Sequence, residues 1–289
     1  VNTISNNDTS GGIAKSMADT ITEFSDLWES NSYDLIFVLG DRYEMFAAAS
    51  STIPFNIPLA HLHGGETTLG AIDDKFRHAI TAMSTYHFTS SEEHKKRVID
   101  IIGTDKNVFN VGTLSLEFIN DLNITPKHTN NILFCYHPET VNLNNEESIN
   151  DVCDALDSID ATFTVLLPNN DTDHNVVRDI IQKRLVGSKY KISKALSYNE
   201  YYTELANCKC MLGNSSSGIY EAASFGKYAI NIGDRQKGRN TGGNVVHCSI
   251  SKDEIIKSYN KIDSLGEWRG GNIYYKPETS NKIIKVINE

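Results

Sequence analysis

The sequence predicts an α/β protein built from two Rossmann-like domains with a cleft between them. Three observations carry this. Short apolar runs alternate with amphipathic stretches along the 289 residues, and such alternation marks parallel sheets assembled from βαβ units. The alternation is interrupted once, by the polar, proline-containing segment 121–130, and then restarts. The length suits two cores better than one.

In the first half, residues 34–39 (DLIFVL) read as a buried strand and 43–51 as a helix. Residues 57–62 are the next strand, 73–84 a helix, and 86–89 a strand. Ser90 with Glu93 forms a capping-box pattern that opens a further helix. Residues 108–111 close this half. After the linker, strands are predicted at 132–136, 163–167, 210–212 and 228–232. Helices are predicted at 146–156, 176–185 and 218–224. Another, capped by Ser197 with Glu200, ends near Asn207. Ser251 with Glu254 caps one more, and a last helix covers about 280–288. The domain boundary falls at 128/129.

Composition narrows the functional classes. Hydrophobic residues make up 39% and charged residues 22%, which is ordinary for a globular chain. The formal net charge of −10 gives no long-range attraction to nucleic acid or an anionic membrane. No apolar run approaches the length of a membrane span. The first residues, VNTIS, carry no signal-peptide pattern. The five cysteines are odd in number and scattered. They are expected as reduced thiols in a cytoplasm. The pair Cys208 and Cys210 lacks a second Cys/His pair, so no metal site is expected.

Open α/β sheets bind ligands beyond the carboxyl ends of their strands. Here those positions are rich in polar groups: Gly40-Asp41-Arg42, His61 to Glu66, His137-Pro138-Glu139, Pro168 to Asp171, Gly213 to Gly218, and Gly233 to Gln236. Asp73 and Asp74 start a helix one turn before Arg77 and His78. Each has an ordinary reading alone. The two aspartates favour the helix dipole, His78 suits a core, and the serines suit a cap. Their joint placement at the sheet edges points to one site. Asn214-Ser215-Ser216-Ser217-Gly218 joins a strand to a helix with small, hydroxyl-bearing residues, which suits an anion. It has neither a P-loop lysine nor GxGxxG spacing. Glu221, one turn on, suits ribose hydroxyls, and Arg235 supplies a cation near phosphates. Phosphate-binding groups in one domain and carboxylates in the other describe a site for a nucleoside diphosphate bearing a reactive group.

GDR at 40–42, HLHGGE at 61–66, IDDKFRHAIT at 72–81, FCYHPE at 134–139, LPNND at 167–171, GNSSSGIYE at 213–221 and GDRQKGR at 233–239 together resemble the hydrolysing UDP-N-acetylglucosamine 2-epimerases of sialic-acid-type pathways. The non-hydrolysing relatives carry GDT, HVEAGLR, HRRE and DSGG-type segments instead. The resemblance implies a glycosyltransferase-B-like architecture and a homodimer or larger homo-oligomer. It also implies a final helix at 277–289 that packs back onto the first domain. The family's N-terminal strand and loop are not found in this sequence.

The implied reaction converts UDP-N-acetylglucosamine and water to N-acetylmannosamine and UDP through a 2-acetamidoglucal, with no cofactor. Asp41, Glu66 and one of Asp73 and Asp74 are the implied acid–base set, Asp74 aligning best. His137 is the implied contact to the departing phosphate. Arg42, His61, Arg77, Asn169, Ser215, Ser216, Glu221 and Arg235 are the implied substrate and UDP contacts. The same motifs suit UDP-2,4-diacetamido-2,4,6-trideoxyhexose, or a non-catalytic UDP-sugar-binding homologue. A glycosyltransferase of this architecture fits the acidic and histidine set poorly.

Overall fold

The computed structural model describes residues 10–69, 72–139, 144–168, 174–193 and 196–289. The chain is α/β, as the alternation predicts, and carries two wholly parallel sheets. It divides into two compact units, Val1–Glu117 with Tyr274–Glu289, and Phe118–Ile273.

In the first unit the strands β1 (Ile36–Leu39), β2 (Leu59–Leu62), β3 (Tyr86–Thr89) and β4 (Val108–Asn110) lie side by side in chain order. The intervening helices are α2 (Tyr43–Ser51), α3 (Asp73–Met83) and α4 (Glu92–Ile102), and the short α5 (Leu114–Glu117) follows. Successive strand residues face opposite sides. Leu59 thus joins Val38, Ala49 and Ile80 on one face. Ala60 joins Phe88, Val111 and Ile283 on the other. Ile283 belongs to the closing helix α11 (Thr279–Asn288). That helix is tied down by Thr279 Oγ1 donating to the Val111 carbonyl (2.8 Å) and by Ser280 donating to Glu117.

Two features of this unit depart from the sequence reading. Residues 34–39 are predicted as a buried strand, but among the described residues β1 has a neighbouring strand on one side alone. Its Phe37 and Leu39 are 49% and 57% exposed while Val38 is buried. Helix α1 (Ser10–Ser30), which packs on α2, is not predicted at all. Its buried stripe is Gly12, Ser16, Thr20 and Trp28. The spacing of four residues is helical, but three of the four side chains are not apolar, so hydrophobic periodicity is blind to it. Trp28 Nε1 donates to Ser51 Oγ at 2.8 Å, which fixes α1 to α2.

The second unit holds β5 (Asn131–Cys135), α6 (Asn145–Ser158), β6 (Thr162–Leu166), α7 (His174–Arg184), β7 (Tyr190–Ser193), α8 (Tyr198–Asn207), β8 (Cys210–Gly213), α9 (Ser217–Tyr220), β9 (Tyr228–Ile232), β10 (Val245–Cys248) and α10 (Lys252–Leu265). Sheet order is β10-β9-β8-β5-β6-β7. The chain runs outward from β5 in one direction, then returns to build outward from β8 in the other. The junction of β5 and β8 is therefore the topological switch point, where open α/β sheets bind ligands. On one face of this sheet an apolar core runs from Ile132, Phe134 and Ile149 to Leu212, Ile230 and Tyr259, beneath α6, α7 and α10.

Local signals held unevenly. Ser197 and Glu200 form both reciprocal bonds of a capping box. Ser251 caps α10 without a side-chain bond. The cap of α4 is Ser91, accepting from His94 N–H, not Ser90. The predicted helix 218–224 is a four-residue turn of α-helix followed by a 3-10 turn, Ala222–Phe225, with the break at Glu221.

Gly213 ends β8 at φ +139°, and a Cβ there would lie 1.9 Å from the Cys135 carbonyl oxygen of the paired strand. Gly213→Ala must strain its own backbone and push β5 away. We expect a loss of at least about 3 kcal/mol, lowering the melting temperature by roughly 6–12 °C. A calorimetric scan within 2 °C (about 1 kcal/mol or less) of the parent would refute the packing described.

Candidate active site

The two units present different chemistry, and each is built from loops that follow strands. In the first, Gly40 turns the chain after β1 at φ +83°, donating to the Leu62 carbonyl at 3.2 Å. Asp41 follows. Its carboxylate accepts from Arg77 Nη2 on α3. Arg77 is 3% exposed, and its Nη1 also donates to Glu66 Oε2 at 3.3 Å. One buried guanidinium thus bridges two carboxylates from two loops.

Glu66 is the most enclosed of the acids, 5% exposed. Its Oε1 accepts from His63 Nδ1 and from Ser90 Oγ, both at 2.8 Å. Burial alone drives a carboxyl up. Here the His63 hydrogen bond and the Arg77 guanidinium outweigh it, and Glu66 is held well below the usual carboxylate range. The loop reaches this position because Gly65, at φ +79°, packs its backbone onto α4. A Cβ there would lie 2.3 Å from the His94 carbonyl oxygen. Arg97 Nη1 fixes the Gly65 carbonyl at 2.5 Å.

The two aspartates of α3 differ. Asp74 Oδ1 accepts the Thr68 N–H at 2.7 Å and so braces the loop after Glu66. Asp73 is half-buried, and its carboxyl is raised above its ordinary value, first by burial and then by the charge of Asp41. It therefore takes up a proton more readily than a free aspartate, beside an ionised Glu66.

Two predicted ligand contacts of this unit have other employment. His61 is fully buried. Its Nε2 lies 3.0 Å from the Gly40 carbonyl and its Nδ1 3.2 Å from Thr81 Oγ1. Burial pushes its pKa down to about 3. It is a neutral core histidine that sets the Gly40 turn, with both ring nitrogens already engaged. Arg77 is likewise enclosed and spends its guanidinium on Asp41 and Glu66. Arg42 is exposed and pairs with Glu44 at 2.8 Å.

In the second unit the switch point is laced together. Asn214, fully buried after β8, accepts the His137 N–H at Oδ1 (2.7 Å) and donates Nδ2 to the His137 carbonyl (2.8 Å). His137 Nε2 sits 3.4 Å from Cys135 Sγ, a thiol that burial pushes up to about 11 and so keeps neutral. Glu139 Oε1 accepts the N–H groups of Asp234 (2.8 Å) and Arg235 (3.2 Å). Arg235 Nη1 reaches the Asn214 carbonyl at 3.3 Å, which brings its cation to the serine turn. Ser215 and Ser216 are half-buried on that turn, and Ser215 Oγ accepts the Ser217 N–H at 3.4 Å. Glu221 takes one tyrosine hydroxyl on each oxygen, Tyr201 on Oε2 and Tyr202 on Oε1, both at 3.1 Å. Burial raises its pKa. Asn169 lies outside the described residues.

The structure thus brings Asp41, Glu66, Asp73, Asp74 and Arg77 together in one unit. It brings His137, Ser215, Ser216 and Arg235 together in the other, with Glu221 one short helix beyond. Sequence reasoning missed the groups that hold these in place. Glu139 stands in a recognised motif, and its distance of 95 positions from Asp234 hid the contact. Ser90 was assigned to a cap, and His63 and His94 carry no spacing that marks them. Tyr201 and Tyr202 sit on α8, whose register against Glu221 only the fold reveals.

The family model described as UDP-N-acetylglucosamine 2-epimerase matches residues 2–288. The chain is 36% identical over 273 residues to the GDP/UDP-N,N'-diacetylbacillosamine 2-epimerase (hydrolyzing) of Campylobacter jejuni, covering 89% of this chain and 71% of that protein. It is 35% identical over 302 residues to the polysialic acid biosynthesis protein P7 of Escherichia coli, covering 96% and 75%. Among solved structures, the UDP-GlcNAc 2-epimerase of Neisseria meningitidis bound to UDP-GlcNAc superposes with a TM-score of 0.81 at 18% identity, covering 99% of this chain and 84% of that one. At that identity the likeness is one of fold.

Proposed function

The chain belongs to the UDP-N-acetylglucosamine 2-epimerase family, and from that premise we propose that it is a hydrolysing 2-epimerase of a UDP-linked 2-acetamido sugar. The observation that carries the reading is the acid cluster of the first unit. It sets Asp73, whose carboxyl burial raises, beside Glu66, which a histidine hydrogen bond and a buried arginine hold ionised. Environments that push neighbouring titratable groups apart let one site supply both acid and base.

The chemistry has two steps. A base takes H2 as a proton, its electron pair forms the C1=C2 bond, and the C1–O bond breaks with its pair leaving on UDP. Water then adds at C1 while a proton returns to C2 from the opposite face. The first step needs negative charge on the diphosphate to be stabilised. His137, Arg235 and the turn at Ser215 and Ser216 are suited to that, and Glu221 to the ribose hydroxyls.

The substrate favoured is the UDP-linked 2,4-diacetamido-2,4,6-trideoxy sugar, a diacetylated diamino sugar of the kind in the Campylobacter relative's name, GDP/UDP-N,N'-diacetylbacillosamine. UDP-N-acetylglucosamine is the second reading, favoured by the family description. Incubating the protein with each sugar nucleotide and following products by proton NMR tests both. The expected result is free UDP with the C2-inverted free sugar. An epimer still joined to UDP means a non-hydrolysing enzyme. UDP binding without turnover of either sugar would refute catalysis.

A further inference from the structure

We propose, building on that reading, that His63 is the base that takes the C2 proton, and that Glu66 acts through it as a positioning residue. His63 was in none of the roles assigned from sequence. It stands in the turn after β2 with φ +66°, a left-handed conformation that strains a non-glycine residue. The surroundings enforce it. Its N–H is held by the Phe88 carbonyl at 2.9 Å, and its ring is drawn onto Glu66. Strain of this kind persists where a side chain must be aimed.

The hydrogen-bond pattern fixes what the ring does. Glu66 is a buried carboxylate that accepts from three sides: His63 and Ser90 on Oε1, and Arg77 on Oε2. Ser90 spends its only hydroxyl hydrogen on Glu66, so the 2.9 Å contact between Ser90 Oγ and His94 Nδ1 is donated by the His94 ring. His94 is 1% exposed, and burial pushes it down to about 4, so it remains neutral behind Ser90. The chain of donors therefore ends on Glu66, and His63 must carry its hydrogen on Nδ1. A neutral imidazole protonated at Nδ1 is an acceptor at Nε2, and that atom has no hydrogen bond among the described residues. The ring is also partly open, its side chain 20% exposed against 6% for Glu66.

This is a carboxylate–imidazole pair in which the acid sets the tautomer and stabilises the imidazolium that forms. Glu66 itself is a poor base, since its environment holds its pKa low. In the step proposed, Nε2 accepts H2 as a proton, the C2–H pair becomes the C1=C2 bond, and UDP departs with the C1–O pair. The imidazolium then releases its proton to solvent.

The test uses His63→Gly, because glycine adopts φ +66° without strain and leaves an imidazole-sized gap. Turnover should fall about 10²–10⁴-fold, with UDP affinity by calorimetry within about threefold (under ~0.7 kcal/mol). Added imidazole should restore at least about tenfold of the loss (a ~1.4 kcal/mol effect). His63→Asn tolerates the same backbone but fills the gap, and should be as inactive without being rescued. If either variant turns over within about threefold of the parent (~0.7 kcal/mol), His63 is not the base, and the hydrolysing reading stands on the parent's activity. A loss that imidazole does not restore, with UDP affinity falling in parallel, also overturns the role. A parent that turns over neither sugar removes the reading and this inference together.

Discussion

Arg77→Met is expected to destabilise the first unit by about 3–5 kcal/mol at neutral pH, because it strands an ionised carboxylate in the interior. Methionine fills the space of the aliphatic stem but removes the cation that joins Asp41 and Glu66. Glu66 is 5% exposed and cannot turn to water. The sign with pH follows from its depressed pKa. In the parent, Glu66 contributes stability that is fully present above the ordinary carboxyl value of roughly 4.3, and that is lost as pH falls toward its folded value. Without Arg77, burial, the largest influence on this group, regains weight. The contribution at neutral pH then shrinks or becomes a penalty that acid relieves. Denaturant unfolding of the two proteins should differ most near pH 7, the gap narrowing by about pH 4 as the stranded carboxylate of the variant is protonated, and closing only as pH falls through the depressed folded value of Glu66 in the parent. A gap that is the same at pH 7 and pH 4 would show that the bridge is not what holds Glu66. Arg77→Lys should recover only part of the loss, since one ammonium cannot span two carboxylates as a fork does.

The residues that carried the sequence reading and those that escaped it differ in how local their signals are. Strands β2, β3, β5, β6, β8 and β9 stand near their predicted places because a parallel strand covered on both faces is a plain apolar run. Strands β7 and β10, YKIS and VVHC, are the outermost of the described strands of their sheet and only partly buried, so they carry no continuous apolar run. Helix α1 buries small and hydroxyl-bearing residues, so packing geometry replaces hydrophobicity as its cause. The same limit applies at the site. Asp41, Glu66 and Asp73 were legible only jointly, because each has an ordinary reading alone and their shared placement at strand ends and a helix start does not. What each does was not, because it depends on partners distant in sequence. Arg77 lies 36 residues from Asp41 and turns from a ligand contact into a bridge. His61, read as a contact from its motif, is a core group by burial. Asp74 aligned best as the acid, yet its carboxylate braces Thr68.

Asp73→Asn is expected to abolish sugar release, by about 10³-fold or more, while leaving UDP affinity unchanged. Asp74→Asn should retain much more activity. The prediction separates two neighbours that sequence alone treats as interchangeable. Asparagine keeps the size of Asp73 and its place in the first turn of α3, so the fold loses only the small dipole term of an acid there, about 0.3–1 kcal/mol. What it removes is the carboxyl whose pKa burial, and then the charge of Asp41, raise. No other acid of the cluster can take over. Glu66 is committed to His63, Ser90 and Arg77, and Asp41 to Arg77. Asp74→Asn keeps an oxygen that can still accept the Thr68 N–H, so the brace survives and the cost is one charge-assisted hydrogen bond made neutral. NMR turnover rates with UDP titrations on the same preparations decide the matter. If Asp74→Asn is the dead variant and Asp73→Asn stays active, the proton donor is the residue that alignment favours. The hydrogen bond to Thr68 would then have to open for catalysis.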